Sequence, residues 1–178
     1  ILSKAPNNSD ANHNLAILMV AENERSAALH LFEKCVHVRP DVHQYWMSLL
    51  QFLHESLDRS SIEKLSKKFI ETVNQGVLTH DWALSAQFGH ILNSHSLHRE
   101  ALKHYLAIAD IPSDDDAIRS NICITAYLAG EIDIAYDFCL QLLENSKIPM
   151  VGIILSVLSK CFDILKLEKP AIDENRKH

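Results

Sequence analysis

Glycine and proline are scarce in this chain. Its 178 residues hold 4 Gly and 5 Pro, where average usage gives about 12 and about 9. β-Sandwiches and barrels need a turn signal every few residues, so this composition argues against them. Collagen-like, low-complexity and linker-like chains fall on the same ground. Four scattered glycines do not build a phosphate-cradling loop. Long apolar runs are missing as well: a membrane span needs roughly 18 such residues, and the run from Met150 to Leu155 is short and already contains Gly152. There is no basic stripe. The densest cluster, Lys64, Lys67 and Lys68, reads as a solvated helix face. A net charge of −6 disfavours non-specific nucleic-acid binding, so no nucleic-acid partner is expected. The four Cys, at 35, 123, 139 and 161, form no C-x-x-C pair, which excludes zinc-ribbon and thioredoxin-like sites.

What is present is ordinary for a globular domain: 47% hydrophobic and 22% charged residues, in a chain long enough to bury a core. With so few breakers the expected class is all-α. Each Cys lies in an apolar helical context, where it behaves as a small hydrophobe. Four buried free thiols are therefore expected; they fit a reducing compartment, and a cytoplasmic location is the expected one, although a periplasmic protein can also carry them. The opening Ile1-Leu-Ser-Lys-Ala-Pro6 has neither an initiator Met nor a signal-peptide pattern and reads as the start of a fragment. His is abundant at 11 residues, yet none forms H-E-x-x-H. His54-Glu55 is the nearest start, and Asp58 stands where the second His is needed. His95 and His98 flank a turn at Ser96-Leu97, and His37 and His43 straddle Pro40. G-x-S-x-G is absent. No metal site, no cofactor and no catalytic residue is expected; the chain reads as a non-enzyme.

Repeats carry the organisation. Ala28, Phe32 and Cys35 lie at i, i+4, i+7, one face of a helix. Ala101, Tyr105 and Ile108 repeat that spacing, and so do Ala135, Cys139 and Leu142. A patterned helix precedes each: Leu15, Ala16 and Met19, then Phe88, Gly89 and Leu92, then Ile122, Cys123 and Ala126. Ala28 to Ile62 is 34 residues, and Ala101 to Ala135 is 34 again. Ile62 to Ala101 is 39, which places an insertion near Asn74-Gln75-Gly76-Val77-Leu78. Pro40, Pro112 and Pro149 fall near the ends of units. The spacing predicts nine helices over about 10–22, 26–39, 43–57, 60–75, 80–95, 98–110, 114–129, 132–145 and 149–167. Ser113-Asp114 reads as an N-cap, with Asp114-Asp115-Asp116 at the positive end of the helix dipole. Gly130 is expected in a left-handed turn.

A 34-residue helix–turn–helix period resembles the tetratricopeptide repeat (TPR). Trp46 stands as the aromatic opening a repeat, Leu15, Leu49, Phe88 and Ile122 stand in first helices, and Ala28, Ala101 and Ala135 in second helices. The second repeat departs, with Ile62 for a small residue and Ser66 for an aromatic. The resemblance implies one α-solenoid domain over 1–178, with repeats at about 9–42, 43–76, 82–115 and 116–149 and a terminal helix at 150–167. The stretch Arg39 to Leu50 is similar to one in bacterial arrays that precede glycosyltransferase or sulfotransferase domains. It implies an alternative role as the substrate-positioning region of a larger bacterial enzyme.

The resemblance further implies that first helices line a concave groove. Beside their core positions runs a second stripe: His13, Ile17 and Val20; Gln44, Met47, Gln51 and His54; Ala86, His90 and Asn93; Ser120, Ile124 and Tyr127. This is a polar, nearly uncharged lining suited to the backbone of an extended peptide. His13, Gln51, His54, His90, Asn93 and Tyr127 are the expected contacts, and a protein or peptide is the expected partner. TPR domains that clamp the C-terminal Glu-Glu-Val-Asp of chaperones use Lys, Asn and Arg, whereas His13, Ile17, Met47 and Gln51 stand here. The terminal helix is apolar on two stripes, Val151, Ile154, Leu155, Leu158, Phe162 and Leu165, and Ile153, Val157, Cys161 and Ile164. It is expected to meet a second copy of the chain or a flanking domain.

Overall fold

The computed structural model describes residues 8–79, 81–108, 116–144 and 151–174. Among them it holds α1 (Ser9–Ala21), α2 (Arg25–Val38), α3 (His43–Glu55), α4 (Arg59–Asn74), α5 (Trp82–Ser94), α6 (His98–Leu106), α7 (Asp116–Ala129), α8 (Ile132–Glu144) and α9 (Val151–Glu174), with no strand. The expected helices are present with two differences. Helix α6 stops at Leu106 rather than near 110, because its last turn tightens: Ile108 N–H donates to the Tyr105 carbonyl. Helix α9 continues to Glu174 rather than 167. The expected cap at Ser113-Asp114 and the closing Pro112 and Pro149 lie outside the described residues. Asn8 caps α1 by accepting from Ala11 N–H at 2.9 Å, and Asp58 caps α4 by accepting from Ser61 N–H at 3.0 Å.

The chain divides into two compact units, Ile1–Leu84 and Ser85–His178. In the first unit, Ala28, Cys35, Trp46, Leu50 and Ile62 are fully buried, with Phe32 and Phe69 nearly so. Trp46 crosses Phe69 edge-on at 5.4 Å, and its indole N–H donates to the Pro40 carbonyl at 2.9 Å. The repeat-closing proline is thus tied to the residue that opens the next repeat. Most of the Arg39–Leu50 stretch has a structural explanation: Tyr45, Trp46, Leu49 and Leu50 are core, and Arg39 pairs with Asp41 at 2.8 Å in the turn. In the second unit, Phe88, Leu92, Ala101, Ile122, Cys123, Ala126, Ala135, Cys139, Leu142, Ile154 and Cys161 are fully buried.

The turn inside each hairpin solves the glycine shortage. Asn23, Leu57, Ser96 and Gly130 all take positive φ, between 53° and 81°. They fall at one register of the repeat. Only the last is a glycine; the other three side chains accept a left-handed backbone that costs L-residues roughly 1–2 kcal/mol. Leu57 does so with its side chain in solvent.

The second repeat departs from the pattern by exchanging volumes. Where the other first helices place Ala16, Gly89 or Cys123, α3 places Leu50; where the other second helices place Phe32, Tyr105 or Cys139, α4 places Ser66. Leu50 and Ser66 are both buried. The bulk has moved to the other helix, and the aromatic that meets Trp46 comes from Phe69, one turn further on.

The fourth repeat corrects one expectation. Cys123 and Cys139 are not free thiols but a disulfide, with Cα atoms 5.7 Å apart. They occupy the places of Gly89 and Tyr105 one period earlier, which are in close contact, so two small sulfur side chains meet there. Cys35 and Cys161 are free and buried as expected, and burial raises both thiol pKa values, which keeps them protonated.

In the third repeat that close approach leaves no room for a side chain. A Cβ added to Gly89 would lie 2.6 Å from Tyr105 Cζ, inside a ring that is itself buried. Gly89→Ala is expected to destabilise the second unit by about 1–3 kcal/mol through overpacking. Adding Tyr105→Leu should return part of that loss, read as a positive coupling in a double-mutant cycle of urea unfolding. Strict additivity would show that the two sites do not compete for space.

Candidate functional site

A groove of about 430 Å³ opens in the first unit between α1 and α3. Its walls differ in chemistry. Ile17 and Val20 supply an apolar wall from α1, and Phe32 and Phe52 an aromatic floor. The α3 wall carries Gln44, Ser48, Gln51 and Glu55, spaced to lie on one face of that helix, with Met47 beside them. Phe32 and Phe52 pack at 5.6 Å between ring centres. The Arg25 guanidinium lies 4.9 Å from the Phe52 centre and donates to the Ser56 hydroxyl, so its charge is held at the edge of the floor. Gln51 Nε2 donates to Glu55 Oε1 at 2.9 Å. Ile17 is 49% exposed, an apolar surface that water meets directly.

The sequence stripe is recovered in part. Ile17, Val20, Gln44, Met47 and Gln51 line the groove as expected. His54 is half-buried one turn beyond Gln51. His13 differs: it is buried rather than open to the groove. Its ring packs on Phe32 at 5.8 Å and Tyr45 at 5.2 Å, and its Nε2 meets Ser48 Oγ at 2.8 Å. The reason lies in how α1 is used. The face that α1 buries is Ser9, Asn12, His13 and Ala16, while the apolar Leu15 and Met19 are only half-covered. Desolvation, partly offset by Asp10 and Asn14, lowers the His13 pKa below its usual 6.5. Tyr45 donates to Asp10 Oδ1 at 2.5 Å, and burial with that bond pushes its phenol up to about 12.

In the second unit, His90 is exposed on α5. Asn93 is spent on cohesion: its Nδ2 donates to Thr125 Oγ1 at 2.6 Å, and its Oδ1 accepts from His98 Nδ1 at 3.0 Å. One amide thus joins α5, α6 and α7. Tyr127 is half-buried, with Lys160 Nζ 5.7 Å from its ring centre. Burial pushes the Tyr105 phenol to about 12. Among the described residues no group of three or more His, Cys, Asp and Glu is arranged to hold a metal ion, and no helix is long and apolar enough to cross a membrane.

The floor residues Phe32 and Phe52 and the rim residues Ser48 and Glu55 are absent from the expected contacts. Ser48 and Glu55 follow Gln44 and Gln51 at four-residue spacing, a signal open to inspection. Phe32 was recognisable only as core, because its ring edge reaches the groove from the second helix.

Solved structures resemble this chain in fold, three of them as follows. YrrB, described as a TPR protein with an unusual peptide-binding site, aligns with TM-score 0.63 at 13% identity, over 97% of this chain and 85% of its own. The fold is a tetratricopeptide-type helical repeat. MamA aligns at TM-score 0.55 and 15% identity over 80% of this chain and 81% of its own. The TPR-like repeats of a putative kinesin light chain from Podosopora anserina align at 0.54 and 12% over 94% and 92%. No protein-family model matches the chain, and no curated protein matches it in sequence.

Proposed function

We propose that this TPR-type chain is a protein-interaction scaffold, and that the groove between α1 and α3 holds an extended peptide segment through one or more apolar side chains. The observation that carries the reading is the pairing of two unlike walls. Ile17, Val20, Phe32 and Phe52 offer a place to bury an apolar side chain, and Gln44, Ser48 and Gln51 offer amides and a hydroxyl to a peptide backbone. From Gln44 to Glu55 the α3 wall runs about 16 Å at the helical rise, the reach of roughly five extended residues. The fold likeness to YrrB, whose description includes a peptide-binding site, is consistent with it. Gln51 is the direct contact we retain from the sequence, with His54 next to it; His90 and Tyr127 are the candidates in the second unit, and Asn93 serves by holding its helices together.

A phage-displayed random peptide library panned on the full chain tests this. Enriched peptides are expected to share an apolar anchor. Ile17→Glu, which places a charge on an already exposed position, should weaken them by about 10–100-fold, the loss of one buried aliphatic side chain. Enriched peptides that bind Ile17→Glu as tightly as wild type would refute the groove assignment.

A further inference from the structure

We infer that His13 makes this groove pH-sensitive: protonating its buried imidazole reverses the hydrogen bond to Ser48 and so changes what the α3 wall offers a ligand. For peptide affinity the inference rests on the groove being the binding site; for the groove's own shape it does not.

The geometry supplies a chain of three side chains. Gln44 Nε2 donates to Ser48 Oγ at 3.4 Å, and Ser48 Oγ sits 2.8 Å from His13 Nε2. We take the neutral ring as the tautomer with its proton on Nδ1, in which Nε2 accepts from the Ser48 hydroxyl while Gln44 donates to the same oxygen. A second proton on the ring turns Nε2 into a donor. Ser48 then accepts from both sides, and its own O–H is released from the ring and free to turn toward the groove it lines. A wall that presented a lone pair to the ligand now presents a proton. His13 itself never touches the ligand; it acts through Ser48 and is a positioning residue.

The surroundings decide when this happens. On its own helix His13 has Asp10 and Asn14, which favour the proton. From α2 comes the Phe32 edge; the buried Cys35 thiol on that helix stays protonated and donates to the Ser9 carbonyl, and Arg39 at its end is paired with Asp41. From α3 come the neutral Tyr45 phenol and Ser48. Asp10 already accepts the Tyr45 hydroxyl. Burial outweighs these attractions, so the ring is neutral at pH 7 and charges only in more acidic solution. The sign for stability follows. The unfolded chain takes up this proton near pH 6.5, before the folded one does, so the stability due to neutral His13 is complete above about pH 6.5 and is lost as pH falls from there to the folded pKa.

Met47 lines the groove and reports on it. In the full chain with 13C-methyl methionine, assigned through Met47→Leu, the Met47 methyl is expected to shift between pH 8 and 5. Its midpoint should lie below 6.5 and match the His13 imidazole resonances. His13→Gln keeps a polar partner for Ser48 and should abolish that step. A flat Met47 methyl, or a step that survives in His13→Gln, overturns the inference. Should His13→Gln fail to fold, unequal midpoints for His13 and Met47 in the wild type overturn it equally. Peptides selected at pH 7.5 are expected to lose about 5-fold or more in affinity at pH 5, and to keep their affinity in His13→Gln. A Met47 step with no selectable peptide leaves the switch standing and refutes the binding role. Peptides that bind identically at both pH values refute the switch's effect on binding.

Discussion

Trp46→Ala is expected to remove about 3–5 kcal/mol from the first unit, the range for deleting a large buried aromatic. Domains of this size are held by only about 5–15 kcal/mol, so this single change brings the unit to the edge of unfolding. The indole has no exposure, crosses Phe69 edge-on and donates to the Pro40 carbonyl. It therefore joins the end of one hairpin to both helices of the next. Nothing nearby is positioned to fill the space: Leu49, Leu50 and Leu53 are themselves buried on the same helix. Trp46→Phe separates the contributions. It keeps a ring against Phe69 and loses the bond to Pro40, for an expected cost of about 1 kcal/mol. Urea unfolding followed by circular dichroism gives both values. An unchanged urea midpoint in Trp46→Ala would show that the hairpins are not locked through this residue.

Breaking the Cys123–Cys139 bond should cost the second unit about 3 kcal/mol, because it frees a loop closed over a sequence separation of 16 in the unfolded chain. Cys139→Ser should do the same with or without reductant, whereas wild type should fall to that level only when reduced. Hydrogen exchange of the α7 amides reads this unit directly, since both tryptophans lie in the other one. The bond itself is checked by mass. Alkylation of the denatured, unreduced chain should modify two cysteines, Cys35 and Cys161, and reduction should expose all four. Four modified cysteines without reduction would show that the bond is not formed.

The disulfide also marks how much was legible in advance. Cys123 to Cys139 spans the same distance as Gly89 to Tyr105 and Ala16 to Phe32. In the third repeat that register is a close contact, Gly89 against Tyr105, and the cysteines one period later stand at the same two places. Reading each cysteine by its local apolar context hid the pairing. The opposite holds for His13 and Asn93. Both stand on a polar stripe beside the core, as Gln51 does, and nothing local separates them. His13 is enclosed by Phe32 and Tyr45, and Asn93 is engaged by Thr125 and His98, each partner arriving from another helix.

By itself, the sequence determined the helices, their pairing into hairpins and the departure of the second repeat. These depend on the 3.6-residue period and on small residues recurring at a fixed spacing, which are local and additive. Tertiary structure alone decided which polar positions face water and which face neighbouring helices. It also decided that an aromatic edge from α2 floors the groove, and that Asn, Leu and Ser stand in for glycine at the hairpin turns. Burial of a side chain is a property of everything packed against it, and those neighbours lie a helix or a whole repeat away in sequence.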